Sequence, residues 1–278
     1  MGEIVVGVDG STGSRVALRW AARTAEARGD ALRAVTAWHY PARAGSPIGP
    51  TELPAAEEMD RQSDERLRAV LREELDAAAE RVEVEVGRGP TASVLLGAAA
   101  RPGVAMLVLG ARGLGGFDGL LLGSVSQQCV EHSPCPIVVL RGEHVPSNGP
   151  IVVGLDGSDG ATRALEWAID LAEATDTKVV AVHAPHSTDG TKVLDVAAEA
   201  LDQWCAPFRH RKVALAMRIE AGDARAAIEH AADVTDASLL VVGTRGLGPV
   251  RGLLLGSVAG YIARHARRPI AVVPRSTG

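Results

Sequence analysis

Aromatic residues are scarce. Two Phe, two Tyr and four Trp make up 3% of the 278 residues, so no core here is built on large rings. The hydrophobic fraction of 46% is carried by Ala, Val, Leu and Ile, the residues of Val-rich strands covered by Ala- and Leu-rich helices. Cysteine is rarer still. Cys129, Cys135 and Cys205 are odd in number and have no partners at metal-ligand spacing. That excludes a disulfide framework and is the usage of buried, reduced thiols in a reducing compartment. Lysine is confined to Lys178, Lys192 and Lys212, the arginine-for-lysine bias of a GC-rich genome. A net charge of −5 excludes global attraction to nucleic acid or an anionic membrane. No apolar run approaches the ~18 residues of a membrane span. The first residues, MGEIVVGVDGS, enter a strand pattern without a signal-peptide layout. These absences predict a cytoplasmic protein with no membrane span and no nucleic acid among its partners.

What is present is a repeat. Residues 110–126 read GARGLGGFDGLLLGSVS and residues 243–259 read GTRGLGPVRGLLLGSVA, identical at twelve of seventeen positions. The repeat extends well beyond this loop. IVVGVDGS at 4–11 answers IVVGLDGS at 151–158, ALRWA at 17–21 answers ALEWA at 164–168, and PIVVL at 136–140 answers PIAVV at 269–273. The separation from Asp9 to Gly110 exceeds that from Asp156 to Gly243 by 14 residues, an excess placed in HYPARAGSPIGPTELP, which has loop composition. GEHVPSNGP at 142–150 has linker composition and divides the chain into domains 1–143 and 148–278.

Within each half, short β-branched runs alternate with helical periodicity. Strands are predicted near 3–9, 32–38, 82–87, 104–109 and 136–140, then near 150–155, 178–184, 213–219, 238–242 and 269–273. Helices are predicted near 14–28, 56–80, 91–100 and 124–133, then near 160–174, 190–206, 223–234 and 257–266. Such βαβ units predict an α/β fold, with a five-stranded, mainly parallel sheet and helices on both faces in each half. The last strand of each half is short, apolar and at a sheet edge, so the halves are expected to pair there as an internal pseudo-dimer.

The repeated loop leaves the C-terminal end of a strand, where open α/β sheets place ligands. It ends in Gly-Ser at a helix start, where free N–H groups and the macrodipole favour an anion. Its glycines are expected to supply positive φ and close backbone approach to a phosphate. A flexible turn with a Ser cap is the plain alternative for one loop; two copies with the glycines in register argue for a site. His132 and His265 lie near the ends of the last helices and complement the helix dipole. No Ser-His-Asp or Cys-His arrangement is present, so no catalytic residue is assigned.

Written as spacing, the loops are Gly110-x2-Gly113-x9-Gly123-Ser124 and Gly243-x2-Gly246-x9-Gly256-Ser257. This resembles the nucleotide-binding motif of the universal stress protein family, in its ATP-binding branch, over nearly the whole chain. The pattern is neither a P-loop, which needs Gly-Lys-Ser/Thr, nor a G-x-G-x-x-G fingerprint. The resemblance implies two tandem Rossmann-like (adenine nucleotide α-hydrolase-like) domains, each binding ATP with Mg²⁺, in a homodimer with a stress or dormancy role and no enzymatic activity. It implies that Asp9 and Asp156 hold the nucleotide, that Ala37 and Ala184 pack against the adenine, and that Gly110, Gly113, Gly123, Ser124, Val125 and Ser126 hold phosphate. In the second half that set is Gly243, Gly246, Gly256, Ser257 and Val258. Ala259 stands where the family often supplies a hydroxyl, so the second site is expected to hold phosphate slightly less well. Arg112 and Arg245 either reach phosphates or are solvated. Two rival readings are an adenylating enzyme of the α-hydrolase type and a cyclic AMP-binding regulator. The first would need a Ser-Gly-Gly-x-Asp-Ser loop where VDGS and LDGS stand.

Overall fold

The computed structural model describes residues 2–40, 54–114, 122–146, 148–185, 191–220, 222–247 and 255–275. Most of the loop expected at 39–54 and the middle of each Gly-rich loop lie outside these residues.

In the first half the chain runs β1 (Glu3–Gly7), α1 (Thr12–Arg28), β2 (Ala31–Trp38), α2 (Ala56–Leu75), β3 (Glu83–Arg88), α3 (Thr91–Ala99), β4 (Val104–Gly110), α4 (Ser124–His132) and β5 (Ile137–Leu140). The second half repeats it as β6 (Ile151–Leu155), α5 (Asp159–Ala174), β7 (Val179–His183), α6 (Thr191–Cys205), β8 (Leu215–Ile219), α7 (Ala224–Thr235), β9 (Leu239–Gly243), α8 (Ser257–His265) and β10 (Ile270–Val273). The helix expected to continue to 80 ends at Leu75 and passes into a 3-10 turn over Asp76–Arg81. Asp76 takes φ +47° there, a backbone turn that the hydrophobic periodicity does not register.

Each half has the strand order 3-2-1-4-5, all parallel, and the two join into one ten-stranded sheet, β3-β2-β1-β4-β5-β10-β9-β6-β7-β8. The join is the expected pairing of last strands. β5 and β10 run antiparallel, with Val139 opposite Ile270, Val138 opposite Ala271 and Ile137 opposite Val272. Pairing removes two edges that would otherwise expose apolar strands. Because the sheet is covered on both faces, its central strands read as unbroken Ile-Val-Val runs. Alternate residues feed two core layers. Ile4 and Val6 face α1 together with Leu18 and Leu71, and share that layer with Val153 and Leu165 of the second half. Val5, Leu107 and Val139 face the other way, in a layer that holds Ile228 and Ile262. Each fully buried side chain contributes about 1.5–3 kcal/mol, and both layers run across the join. One buried polar tie crosses as well, Arg141 donating to the Ala263 carbonyl at 2.5 Å.

Candidate functional site

The strand order reverses between β1 and β4, and between β6 and β9, which opens a crevice at the carboxyl ends of those strands. Asp9 and Asp156 stand at its floor. The Oδ1 of Asp9 accepts the Ser11 N–H at 3.0 Å and the Ser11 hydroxyl at 2.6 Å, while Oδ2 accepts the Leu114 N–H at 3.1 Å. Asp156 does the same with Ser158 N–H (3.0 Å), Ser158 Oγ (2.6 Å) and Leu247 N–H (3.0 Å). One carboxylate thus clamps the loop after β4 or β9 to the turn after β1 or β6. Partial burial pushes the Asp9 carboxyl up, but the Ser11 hydroxyl and amide, Ser14 and the Leu114 amide outweigh it, holding the group below the ordinary carboxylate range. Gly10 and Gly157 make the turn possible with φ of +85° and +81°, a region that costs other residues dearly.

The motif glycines serve a different need from the one the sequence suggests. None of Gly110, Gly113, Gly123, Gly243, Gly246 and Gly256 has positive φ. They are small because something lies against them. A methyl on Gly110 would come within 2.5–2.9 Å of Gly13 C, Gly13 O and Ser14 N, and one on Gly243 within 2.7 Å of Gly160 C and O. The first turn of α1 or α5 therefore rests directly on the strand end. A methyl on Gly113 or Gly246 would strike the Asp9 or Asp156 carboxylate. Gly123 and Gly256 close the loop neck, donating N–H to Ala111 O and Thr244 O at 2.7 Å.

Beyond each neck a helix begins without a side-chain cap and without an acidic residue in its first turn. The first helical bonds are Gln127 N–H to Gly123 O (2.9 Å) and Gly260 N–H to Gly256 O (2.8 Å). The N–H groups of Ser124, Val125 and Ser126, and of Ser257, Val258 and Ala259, therefore precede any intrahelical acceptor. The positive end of each helix dipole lies at the same helix start. Ser124 and Ser257 are exposed, with Val125 and Val258 half-buried beside them. Ser126 departs from expectation. It is buried, and its hydroxyl donates to the Gly110 carbonyl at 2.8 Å, so it ties α4 to β4. Its counterpart Ala259 is buried too, and the difference between the halves bears on that tie before it bears on an anion.

Ala37 and Ala184 lie half-buried at the ends of β2 and β7, next to the Asp turns. Arg112 is exposed and Arg245 half-exposed at the loop necks. Ser11, Ser158, Gly10, Gly157, Gly13 and Gly160 belong to the site as well. Their signal was the repeated DGSTG and DGSDG.

A protein-family model described as the universal stress protein family matches twice, over residues 1–141 and 148–274. The chain belongs to the universal stress protein family. Universal stress protein Rv2623 of Mycobacterium tuberculosis is 32% identical over 300 residues, covering 98% of this chain and 96% of that protein. A universal stress protein of Mycolicibacterium smegmatis is 31% identical, covering 97% and 96%. Among solved structures, a universal stress protein from Archaeoglobus fulgidus superposes with a TM-score of 0.72 at 23% identity over 98% of both chains, a likeness of fold.

In this universal stress protein the remaining candidate groups have structural places. His132 and His265 bond through Nδ1 to the Gln128 and Tyr261 carbonyls at 2.9 and 3.0 Å, in the last turns of their helices. The three cysteines are free and buried, and burial pushes the Cys129 thiol up to about 12. Among the described residues no His, Cys, Asp or Glu cluster is arranged to hold a metal, and no helix is long and apolar enough to cross a membrane.

Proposed function

We propose that each half of this universal stress protein binds one ATP, and that nucleotide occupancy is the state through which the chain regulates a stress or dormancy response. The observation that carries the reading is the duplicated pairing of an uncapped helix N-terminus with a carboxylate clamped to the loop in front of it. The donor set fits a triphosphate: three N–H groups without an intrahelical acceptor per helix start, an exposed hydroxyl at Ser124 or Ser257, and an arginine at each neck. Asp9 and Asp156, where β1 and β6 end between the loop and β2 or β7, suit the ribose hydroxyls. Mg²⁺ would ride on the phosphates, where it would neutralise charge. Among the described residues the crevice offers backbone N–H groups, a hydroxyl and an arginine for holding phosphate, and we read the protein as a binding switch. Pairing of whole chains as a homodimer belongs to the same reading.

Calorimetric titration of nucleotide-stripped protein with MgATP tests it, with cyclic AMP as competitor. Two ATP per chain, displaced poorly by cyclic AMP, is the expected result. Absence of heat at millimolar ATP refutes the reading, and efficient displacement shifts it to the cyclic nucleotide.

A further inference from the structure

The two crevices share their clamps and helix starts but differ in what stands over the Asp-Gly turn. At Gly157 the indole of Trp204, from the last turn of α6, lies close. A methyl on Gly157 would come 2.5 Å from Cζ2, 2.9 Å from Cε2 and 3.3 Å from Cη2. The same indole meets the His183 ring edge-on, with centroids 5.0 Å apart and planes at 89°, a favoured aromatic geometry. His183 is fixed in turn by Nδ1–H donating to the Leu155 carbonyl at 2.9 Å. Trp204 is only half-buried, so part of its ring remains open.

At Gly10 no described atom lies within 4 Å of the equivalent methyl position. That turn is held from the side by Arg15, whose Nε donates to the Gly10 carbonyl at 3.2 Å while its NH1 pairs with Glu73 and Glu74. Thr162 replaces Arg15 in the second half, and Thr36 replaces His183 in the first. The aromatic pair of the first half, Trp38 and Tyr40, is engaged elsewhere. Trp38 Nε1 donates to Asp60 at 2.8 Å and the Tyr40 hydroxyl to the Pro54 carbonyl at 2.5 Å.

Strands β9, β6 and β7 are consecutive in the sheet. At about 4.8 Å per strand, the path from the loop after β9, past Asp156, to the tip of β7 is roughly 10 Å. A nucleotide with its phosphates at the α8 N-terminus therefore lays its base toward His183 and Trp204. We propose that Trp204, steadied by His183, contacts the base in the second half-site and sets its selectivity, making the two half-sites unequal. This rests on the nucleotide reading above. The first half-site, where no described side chain stands over Gly10, reads mainly phosphate and sugar.

The test uses full-length wild type, Trp204→Phe and Trp204→Ala, stripped of nucleotide and titrated with MgATP and with inorganic tripolyphosphate. Trp204→Ala is expected to weaken one of the two ATP sites about tenfold, the scale of a lost base–aromatic stack, and to leave the other unchanged. Trp204→Phe retains most of the affinity, and tripolyphosphate binds all three proteins alike. ATP, but not tripolyphosphate, changes the emission component that wild type has and Trp204→Phe lacks. That emission difference decides the matter if Trp204→Ala does not fold. Equal ATP affinity in all variants, an equal loss for tripolyphosphate, an emission change with tripolyphosphate as well as with ATP, or no emission change with ATP would overturn the inference. If two ATP still bind, the nucleotide reading stands without it. If wild type binds no ATP, both fall.

Discussion

Alanine at Gly110 and at Gly97 should move stability in opposite directions, although the chemical change is the same. At Gly110 the new methyl would sit 2.5 Å from Gly13 C, 2.7 Å from Gly13 O and 2.9 Å from Ser14 N. Those are backbone atoms of the first turn of α1, which have no rotamer to escape into. Either α1 or β4 must shift, and both are pinned by core side chains with no exposure, such as Val16, Leu18 and Val108. Overpacking of this kind costs about 1–3 kcal/mol, and a backbone obstacle puts it at the upper end. For a chain of this size that lowers Tm by roughly 6–12 °C. At Gly97, within α3, a methyl meets no described atom within 4 Å and φ is not positive, so alanine gains about 0.5–1 kcal/mol from restricted backbone entropy. Urea titrations of the ligand-free proteins, followed by far-UV circular dichroism, would compare the midpoints. A Gly110→Ala protein within about 0.5 kcal/mol of wild type would refute the packing argument, leaving close ligand approach as the reason for that glycine.

Gly123→Glu and Gly256→Glu each place a carboxylate at a helix N-terminus proposed to hold phosphate; each variant should fold and bind one ATP fewer by calorimetry. Val272→Pro removes a strand N–H that faces β5 in the join between the halves, paired there with Ile137; the partner carbonyl left without its donor costs about 1–3 kcal/mol, and light scattering on heating should show earlier aggregation than wild type. Bound ATP should persist in a single-turnover assay, since all three lysines lie outside the motifs and phosphoryl transfer needs placed charge and an oriented water; conversion within seconds, abolished by Asp9→Asn with Asp156→Asn, would make the protein an ATPase. The Asp9 carboxyl is held below its ordinary value, so its contribution to stability is complete above the unfolded value of about 3.9 and is lost as pH falls through the lower folded value. Amide NMR shifts of Ser11 and Leu114 should stay constant from pH 8 to 5 and move only in more acid solution.

Much of this protein was legible in one dimension. Strands buried on both faces must be apolar at every position, so IVVG, MLVLG and PIVVL announced themselves. A helix that buries one side repeats its small apolar residues with a fixed period, as ALRWA and ALEWA do. Because the chain states the same pattern once in each half, Asp9 and Asp156 and the two Gly-rich loops stand out in the sequence without coordinates. Even the pairing of β5 with β10 followed from the hazard of two bare apolar edges. The roles inside the site were another matter. Asp9 meets Leu114 across 105 residues of chain, and Gly110 is small because Gly13 lies on it. Ser126 turns inward to the Gly110 carbonyl, although it sits in a loop-to-helix motif that reads as ligand-facing. Trp204 carries no mark in the sequence that it leans on Gly157. Periodicity reports which face of an element is buried, because burial is set by solvent. Which atom meets which across two strands is decided by the relative placement of whole elements, and that exists only once the sheet and its two layers have packed.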